Sequence, residues 1–281
     1  MTTPALSRQI EGYGRVYVDP DNSDVTYPSV TTVIGALAVE SLTAWKVYKC
    51  CRAAADHPDH LAKMVRQLGA HRAAKRLSEV PERLANTAGE AGDRVHNWAE
   101  ATAKGESHPD LSPDEQGYAK AWWSFVGDFR PKWVGLEVTT FNRTVGYAGT
   151  ADFIAVVEGR TVIGDYKTGP VRNKAALQLA ALAHAEVMMQ DDQLVPMIPV
   201  DGGLAVHLDR DGHYEVYRPE LDPAWEAFRA LVVALRWEHG ADPLGPQVRP
   251  AVSAAEVLAT IHSPTVIEVE SAASMSGRRS A

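Results

Sequence analysis

The chain has 281 residues, of which 45% are hydrophobic and 23% are charged, and its formal net charge is −8. This is the composition of an ordinary globular protein, and the length allows one large domain or a catalytic core with a helical addition. No run of about 18 apolar residues occurs, so the sequence excludes a membrane-spanning helix and predicts no membrane partner.

Two features of the chain bear on its compartment. The N-terminal residues lack the basic and apolar segments of a secretion signal. The two cysteines, Cys50 and Cys51, are adjacent. Neighbouring cysteines rarely bridge, and two are too few for a disulfide framework or an iron–sulfur cluster. We therefore expect a soluble protein of a reducing cytoplasm, without an iron–sulfur cluster.

The charge is unevenly distributed along the chain. Residues 41–94 contain ten of the 28 Lys and Arg residues but six of the 36 Asp and Glu residues. A basic helical segment on an acidic chain indicates either a local phosphate-binding face or a solvated helix surface, and charge alone favours the second.

The first 130 residues are predicted to be mostly helical after a short β start. The segment "GRVYVDP" is a plausible strand that ends at the turn "DPDNSD". Helices are predicted in "ESLTAWKVYKCCRAAAD" and over residues 59–77, 79–104 and 112–130. Ser112 and Glu115 have the spacing of a capping box, and Pro113 suits the first helical position.

The pattern then changes to strands that alternate with helices. Three strands are predicted in "WVGLEVTTFN", "VGYAGTADFIAVVEG" and "RTVIGDYKTG", the last two joined by a tight turn at "EGR". A helix in "RNKAALQLAALAHAEVMMQ", a hairpin in "GGLAVHLDRDGHYEVYRPE" and a helix in "DPAWEAFRALVVALRWEHG" follow. We predict an α/β (α+β) fold with a helical N-terminal region over 1–130, a core over 131–245 and a partly disordered tail over 246–281.

Three charged residues lie in the otherwise apolar run "GTADFIAVVEGRTVIGDYKTG". Asp165 and Lys167 are two apart on a strand, so their side chains leave the same face, and Asp152 lies about as far from the "EGR" turn as Asp165 does. Two facing carboxylates need a cation. Oxygen ligands from Asp152, Asp165 and the Tyr166 backbone carbonyl suit Mg²⁺ or Mn²⁺.

Lys167, beside such a metal, is expected to orient a water and to stabilise negative charge on a phosphoryl oxygen, as phosphodiester hydrolysis requires. The spacing alone equally allows a structural interpretation. In that alternative, Asp152 and Lys167 form a cross-strand ion pair and Asp165 caps a bulge.

The order Gly-x-x-Asp, then Asp-x-Lys about a dozen residues later, resembles the PD-(D/E)XK nuclease superfamily. "AGTADFIAVVEGRTVIGDYKTGP" is similar to its RecB-type branch, in which Asp-Tyr-Lys-Thr-Gly recurs. "GDRVHNWAE" resembles that branch's Gly-x-x-x-His helix motif, "ALQLAALAHA" its Gln-x-x-x-Tyr motif, and "YPSVTTVIG" an N-terminal segment of phage members. The resemblance covers roughly residues 27–190. Leu182 stands where the branch has tyrosine.

The resemblance implies a restriction-endonuclease-like core with a mixed β-sheet flanked by helices. It also implies a metal-dependent DNA exonuclease of phage or bacterial recombination and repair, acting in the bacterial or phage-infected cytoplasm. The expected cofactor is Mg²⁺ or Mn²⁺. The expected partners are DNA and a recombination or single-strand-binding protein.

The same resemblance assigns roles to individual residues. His96 becomes a metal ligand, and Gln178 joins Asp152, Asp165 and Lys167 as a catalytic residue. Glu100, one turn from His96, and Glu137 are candidates for supporting the metal ligands. Basic residues of the N-terminal helices are expected to meet DNA phosphates, namely Lys63, Arg66, Arg72, Lys75 and Arg76.

Two other functions remain open at this stage. A site-specific endonuclease of the same superfamily is one, and a nucleic-acid-binding protein without turnover on a nuclease fold is the other. The sequence does not determine the polarity of degradation, the preference for single or double strands, DNA against RNA, the number of metals or the oligomeric state.

Overall fold

A computed structural model of the protein describes residues 6–37, 40–108 and 110–240. The chain begins with a three-stranded antiparallel sheet in the order β1-β2-β3, where the sequence predicts a single strand. These strands are β1 (Ser7–Ile10), β2 (Gly14–Asp19) and β3 (Asn22–Pro28). Residue Ser29 then caps the short helix α1 (Val30–Gly35), because its side chain accepts a hydrogen bond from the Thr32 backbone N–H.

Five further helices precede the main sheet: α2 (Glu40–Asp56), α3 (Pro58–Leu68), α4 (Ala70–Ser78), α5 (Val80–Lys104) and α6 (Gln116–Phe129). The single helix predicted over 59–77 is wrong. Gly69 interrupts it with a φ of 80°, a conformation that glycine adopts freely and that cannot continue an α-helix. The capping box of Ser112 and Glu115 is confirmed, and it opens a 3-10 turn that leads into α6.

The main sheet has seven strands in the order β10-β9-β6-β5-β4-β7-β8. Strands β6 and β9 are parallel and every other neighbouring pair is antiparallel, so the sheet is mixed. The elements are β4 (Lys132–Asn142), β5 (Tyr147–Val157), β6 (Arg160–Lys167), α7 (Lys174–Ala183), β7 (Val187–Gln190), β8 (Gln193–Pro196), β9 (Gly202–Leu208), β10 (Tyr214–Tyr217) and α8 (Leu221–His239). The prediction of an α/β fold is confirmed.

One hairpin is missing from the sequence interpretation. The helix predicted to run through "VMMQ" ends at Ala183, and that segment is instead strand β7, which pairs with β8. Asp191 and Asp192 form the two-residue turn with φ values of 49° and 60°. Tight hairpins require positive φ at both turn positions, and Asn-Gly or Asp-Gly is the usual signal. Two aspartates gave no such signal.

Helices cover both faces of the main sheet. One apolar cluster packs α1, α7 and α8 against one face, with Leu179, Leu182 and Phe228 at its centre. A second cluster packs α5 and α6 against the other face through residues such as Trp122 and Phe125. The mixed sheet is therefore a middle layer between helices, and side chains from both helical layers can reach its edge.

Residues up to His239 belong to one compact unit. The boundary placed at residues 130 and 131 stays a prediction, and the tail predicted over 246–281 lies outside the described residues. None of the described helices is long and apolar enough to cross a membrane.

Candidate active site

The hairpin of β5 and β6 sets the geometry of the three charged residues. Glu158 and Gly159 form its two-residue turn, both with positive φ, which confirms the tight connection predicted at "EGR". The pairing runs from this turn to Phe153 opposite Gly164. The next residues in the same register are Asp152 and Asp165, so the two carboxylates face each other as predicted.

At this point β5 and β6 separate: β5 continues along β4, and β6 continues along β9. The separation leaves the Tyr166 N–H to a side chain of β5 and not to its backbone. Asp152 Oδ2 accepts its hydrogen bond at 2.5 Å. The Tyr166 ring points to the opposite side and packs beside Phe153, as the alternation of a strand requires.

Lys167, Asp165 and Gln178 contact one another in a closed set. The Lys167 Nζ lies 2.5 Å from Asp165 Oδ2 and donates a hydrogen bond to Gln178 Oε1 at 2.9 Å. The Gln178 amide in turn donates to Asp165 Oδ1 at 2.5 Å. Helix α7 therefore holds the lysine and the carboxylate through one amide. The structural alternative, an ion pair between Asp152 and Lys167, is wrong, because Lys167 pairs with Asp165.

His96 reaches the same place from helix α5 on the other side of the sheet. Its Nδ1 lies 3.1 Å from Asp152 Oδ2, and its ring packs edge-on against Tyr166. The approach of α5 is close at Gly92, one turn before His96. A Cβ at Gly92 would lie 3.1 Å from Thr168 Oγ1, tighter than most such contacts. The glycine of the Gly-x-x-x-His pattern thus lets the helix sit against the loop that follows β6.

Glu137 on β4 is a further acidic residue of this site. Its neighbours Leu136 and Val138 pair with Phe153 and Ala151, so Glu137 lies opposite Asp152. Its φ of 50° falls in the left-handed region that residues other than glycine rarely adopt. The Glu137 side chain lines the same cleft as Asp152 and Asp165. Three carboxylates on adjacent strands therefore converge.

The carboxylates of the site carry more negative charge than the neighbouring cationic side chains neutralise. Burial raises the pKa of Glu137 to about 8, with repulsion from Asp152 and Glu100 acting in the same direction. Burial likewise raises the pKa of Asp165, although Lys167 opposes this effect. Burial works against the charged His96, but attraction by Asp152 outweighs it and raises the pKa of His96 to about 9.

Asp152 and Lys167 remain charged in this environment. Burial would raise the pKa of Asp152, yet the nearby His96 and the Tyr166 N–H outweigh burial and lower it. Burial would lower the pKa of Lys167, yet Asp165 outweighs it and raises that pKa. Only 5% of the Asp165 side chain and 12% of the Asp152 side chain are exposed, against 29% for Lys167. The buried carboxylates of Asp152 and Asp165 are therefore stabilised by two partly exposed cationic side chains, His96 and Lys167.

The donor set fits a divalent cation. Asp165 Oδ2 is buried and faces the Lys167 ammonium group at 2.5 Å. The carboxylates of Asp152 and Asp165 with the imidazole of His96 are ligands that Mn²⁺ and Mg²⁺ accept. Among the described residues, no three His, Cys, Asp or Glu side chains surround one common metal position. The ligand role of the Tyr166 carbonyl stays a prediction.

The sequence interpretation missed the wall of the cleft that comes from the N-terminal sheet and from α5. Arg15, Tyr17 and Thr31 form one part of it, and Asp93 and Asn97 flank His96 on α5. The Tyr17 hydroxyl lies 2.9 Å from Thr150 Oγ1 on β5, which ties the small sheet to the main one. Asp93 could have been found from its spacing of three residues to His96, and Asn97 from its spacing of four residues to Asp93. Arg15 and Tyr17 carry no local signal.

Other predicted residues lie at or outside the edge of the cleft. Glu100 forms an ion pair with Lys104 at 2.5 Å, and its charge acts on Glu137. Leu182 is buried under the cleft and would contact any side chain added at Gly149, so it is part of the core. The five basic residues predicted to meet DNA are exposed on α3 and α4, and they do not line this cleft: Lys63, Arg66, Arg72, Lys75 and Arg76.

A scan against protein-family models finds no match to this chain, and a search of curated proteins finds no significant match.

Proposed function

We propose that this protein is a metal-dependent deoxyribonuclease that hydrolyses phosphodiester bonds and acts as an exonuclease. One observation carries the proposal: Asp152 and Asp165 face each other at a point where two strands separate, with Lys167 and His96 beside them in one cleft. The resemblance to the RecB-type branch of the PD-(D/E)XK superfamily and its restriction-endonuclease-like core belongs to the same proposal.

The roles follow from the contacts. Asp152, Asp165 and His96, with the Tyr166 carbonyl, would hold Mg²⁺ or Mn²⁺. Such a cation, when bound, lowers the pKa of a water and neutralises charge on phosphoryl oxygens. Lys167 would orient the attacking water and stabilise the negative charge that grows on a phosphoryl oxygen. Gln178 keeps the Lys167 ammonium group oriented, because it accepts one of its three N–H donors.

Lys63, Arg66, Arg72, Lys75 and Arg76 are proposed to meet the DNA backbone outside the cleft. Each is exposed, and Arg72, Lys75 and Arg76 share one face of α4 through their spacing. Such contacts act on phosphates and carry no sequence information. They would lengthen the track along which DNA approaches His96 and Lys167.

The test compares linear and closed circular DNA. Wild-type protein should degrade end-labelled linear DNA in Mg²⁺ or Mn²⁺ and leave it intact in EDTA. Asp165→Ala and Lys167→Ala should each lose at least about 100-fold in rate, because the first removes a proposed metal ligand and the second removes an interaction with the reacting phosphate. The matched controls Asp24→Ala and Lys132→Ala remove the same charges from exposed positions outside the cleft and should cleave normally.

Nicking of the closed circle would assign a site-specific or structure-specific endonuclease in place of the exonuclease. Binding of DNA without cleavage under any metal, unchanged in Asp165→Ala and Lys167→Ala, would identify a binding protein and overturn the proposal. Circular dichroism of each variant establishes that it is folded.

A further inference from the structure

A second pocket opens from the catalytic cleft on the side of helix α7. Thr31, Lys167 and Gln178 line both of them, so the two hollows adjoin at these residues. We call the second one the flanking pocket. Its walls come from α1, from the loop 168–173 after β6 and from the first turns of α7. A substrate held at Lys167 therefore has space on two sides of its reacting phosphate.

The floor and walls of the flanking pocket are mainly apolar, unlike the cleft. Ile34, Pro170, Val171 and Ala175 provide them, and Ile34 and Ala175 belong to the buried core beneath. The Lys174 ammonium group fixes the outer wall, because it donates hydrogen bonds to the backbone carbonyls of Ile34 and Leu37. An apolar recess whose wall is fixed by hydrogen bonds suits a flat, weakly polar group such as a nucleobase.

A cation stands at the mouth of this pocket. Arg172 is exposed in the loop before α7, and its side chain has no ion pair or hydrogen bond with another described residue. Lys167 lines the same pocket and also the adjoining cleft. A guanidinium group binds phosphate oxygens through paired N–H donors. Two cationic side chains beside an apolar recess match a nucleotide whose base is inside and whose phosphates lie at the rim.

We propose that the flanking pocket receives the base of the nucleotide next to the reacting phosphate, and that Arg172 binds the phosphate beyond it. This inference rests on the proposed nuclease function. A base can enter such a recess only when it has left its pair and its stack. The substrate at the site is therefore a single strand, or the splayed end of a duplex, with one base unstacked.

The first experiment measures binding of a fluorescein-labelled octathymidylate by anisotropy, in EDTA and again in Mg²⁺ on ice. Arg172→Ala should weaken binding roughly fivefold, and the slope of log K against log salt should fall by about 0.7, as expected for one lost contact to a single-strand phosphate. Arg8→Ala is the matched control, since Arg8 is an exposed arginine on β1 outside both hollows. Equal behaviour of the two variants overturns the role of Arg172.

The second experiment replaces one thymidine at a time by an abasic residue. In the wild type, one position should be about tenfold more sensitive than the others, because only there is the base enclosed. Val171→Trp fills the recess from a loop residue, and it should remove this positional sensitivity while the affinity for the abasic strand stays unchanged. Uniform sensitivity at all positions, or a sensitive position that persists in Val171→Trp, overturns the pocket.

Failure of this inference can be separated from failure of the nuclease proposal. Metal-dependent cleavage without positional sensitivity and without an effect of Arg172→Ala leaves the nuclease and removes the pocket. Positional sensitivity in EDTA without cleavage in any metal leaves a base-binding pocket and removes the nuclease. A wild-type protein that binds no octanucleotide in either buffer overturns the pocket as well.

Discussion

Glu137 combines two features that cost stability. Its backbone lies in the left-handed region with a φ of 50°, and its carboxyl faces Asp152, with Glu100 acting on it from α5. Strained backbones and crowded like charges are found at functional sites, where the surrounding fold holds them in place. Under the proposed function, Glu137 weakens the metal-free protein and supports the metal site once a cation is bound.

The first prediction concerns Glu137→Gln. Removing the charge removes both the cost of burying it and its repulsion by the other carboxylates. The free energy of unfolding of the metal-free variant should therefore be higher than that of the wild type, by on the order of 1 kcal/mol. The same change should lower metal-dependent cleavage by about 10- to 100-fold, as loss of a residue that supports metal ligands does. Thermal denaturation in EDTA and a cleavage assay measure the two effects. Glu11→Gln, at an exposed position of the N-terminal turn, should change neither. A destabilised Glu137→Gln would contradict this account.

Single residues differ in how far their place could be predicted. Asp165 and Lys167 were predictable because the alternation of a strand alone places them on one face. Glu137 was a candidate only through the family resemblance, since its participation depends on a left-handed backbone that no propensity assigns to glutamate. Gln178 was predictable only through its likeness to a family motif. Its contacts with Lys167 and Asp165 depend on how α7 crosses the sheet.

At the scale of elements, the β5–β6 hairpin explains why the pair of carboxylates could be predicted. A two-residue turn fixes the register of both strands, so counting from Glu158 and Gly159 was enough. The β7–β8 hairpin escaped because its turn is Asp191-Asp192 and its first strand follows an Ala-rich helix without a break. Local turn chemistry decides such cases, and here it was atypical.

The second prediction concerns Gly164, directly before Asp165 on β6. Gly164 pairs with Phe153, and a Cβ at Gly164 would lie 1.9 Å from the Phe153 ring, which is fully buried. Gly164→Ala must move that ring, so it should destabilise the protein by at least about 2 kcal/mol. It should also lower cleavage, because Asp152 is the chain neighbour of Phe153 and moves with it. Denaturant unfolding measures the first effect.

Gly202→Ala serves as the control for this substitution. Gly202 begins β9 with nothing within 4 Å of an added Cβ. The extra methyl group there should leave stability unchanged or raise it by about 0.5 kcal/mol through the unfolded chain. Equal stability of Gly164→Ala and Gly202→Ala would mean that the Phe153 ring yields easily, and that the close packing behind Asp165 is not required.

For the whole molecule, the cleft is assembled from distant parts of the chain. Arg15 and Tyr17 come from the small sheet, His96 from α5 and Gln178 from α7. Tyr17 and Thr150 are 133 residues apart and share a hydrogen bond across the wall. The order of elements was largely predictable, apart from the strands β1, β3, β7 and β8, the short helix α1 and the break at Gly69. The packing of the small sheet against β5 was not, because no local pattern encodes contacts at that separation.

The third prediction concerns stability, pH and metal together. Glu137 has an ordinary pKa of 4.5 and one of about 8 in the folded protein. Between these values the folded state binds the extra proton, so the free energy of unfolding falls as pH rises toward 8. His96 has an ordinary pKa of 6.5 and one of about 9, so the stability it contributes is complete below pH 6.5 and is lost as pH rises through 9. Both groups act in the same direction.

The melting temperature of metal-free protein should therefore fall between pH 6 and pH 9. Metal ligands bind in their deprotonated forms, so the gain in melting temperature on adding Mg²⁺ should grow over the same range. Scanning calorimetry in EDTA and in Mg²⁺ at pH 6, 7.5 and 9 measures both quantities. In Glu137→Gln, the melting temperature in EDTA should fall less steeply with pH. That result would assign the fall in the wild type to this site and not to other titrating groups. A gain from Mg²⁺ that is constant or shrinks as pH rises would mean that protons and metal do not compete here, and that the carboxylates at the separation of β5 and β6 are held by His96 and Lys167 alone.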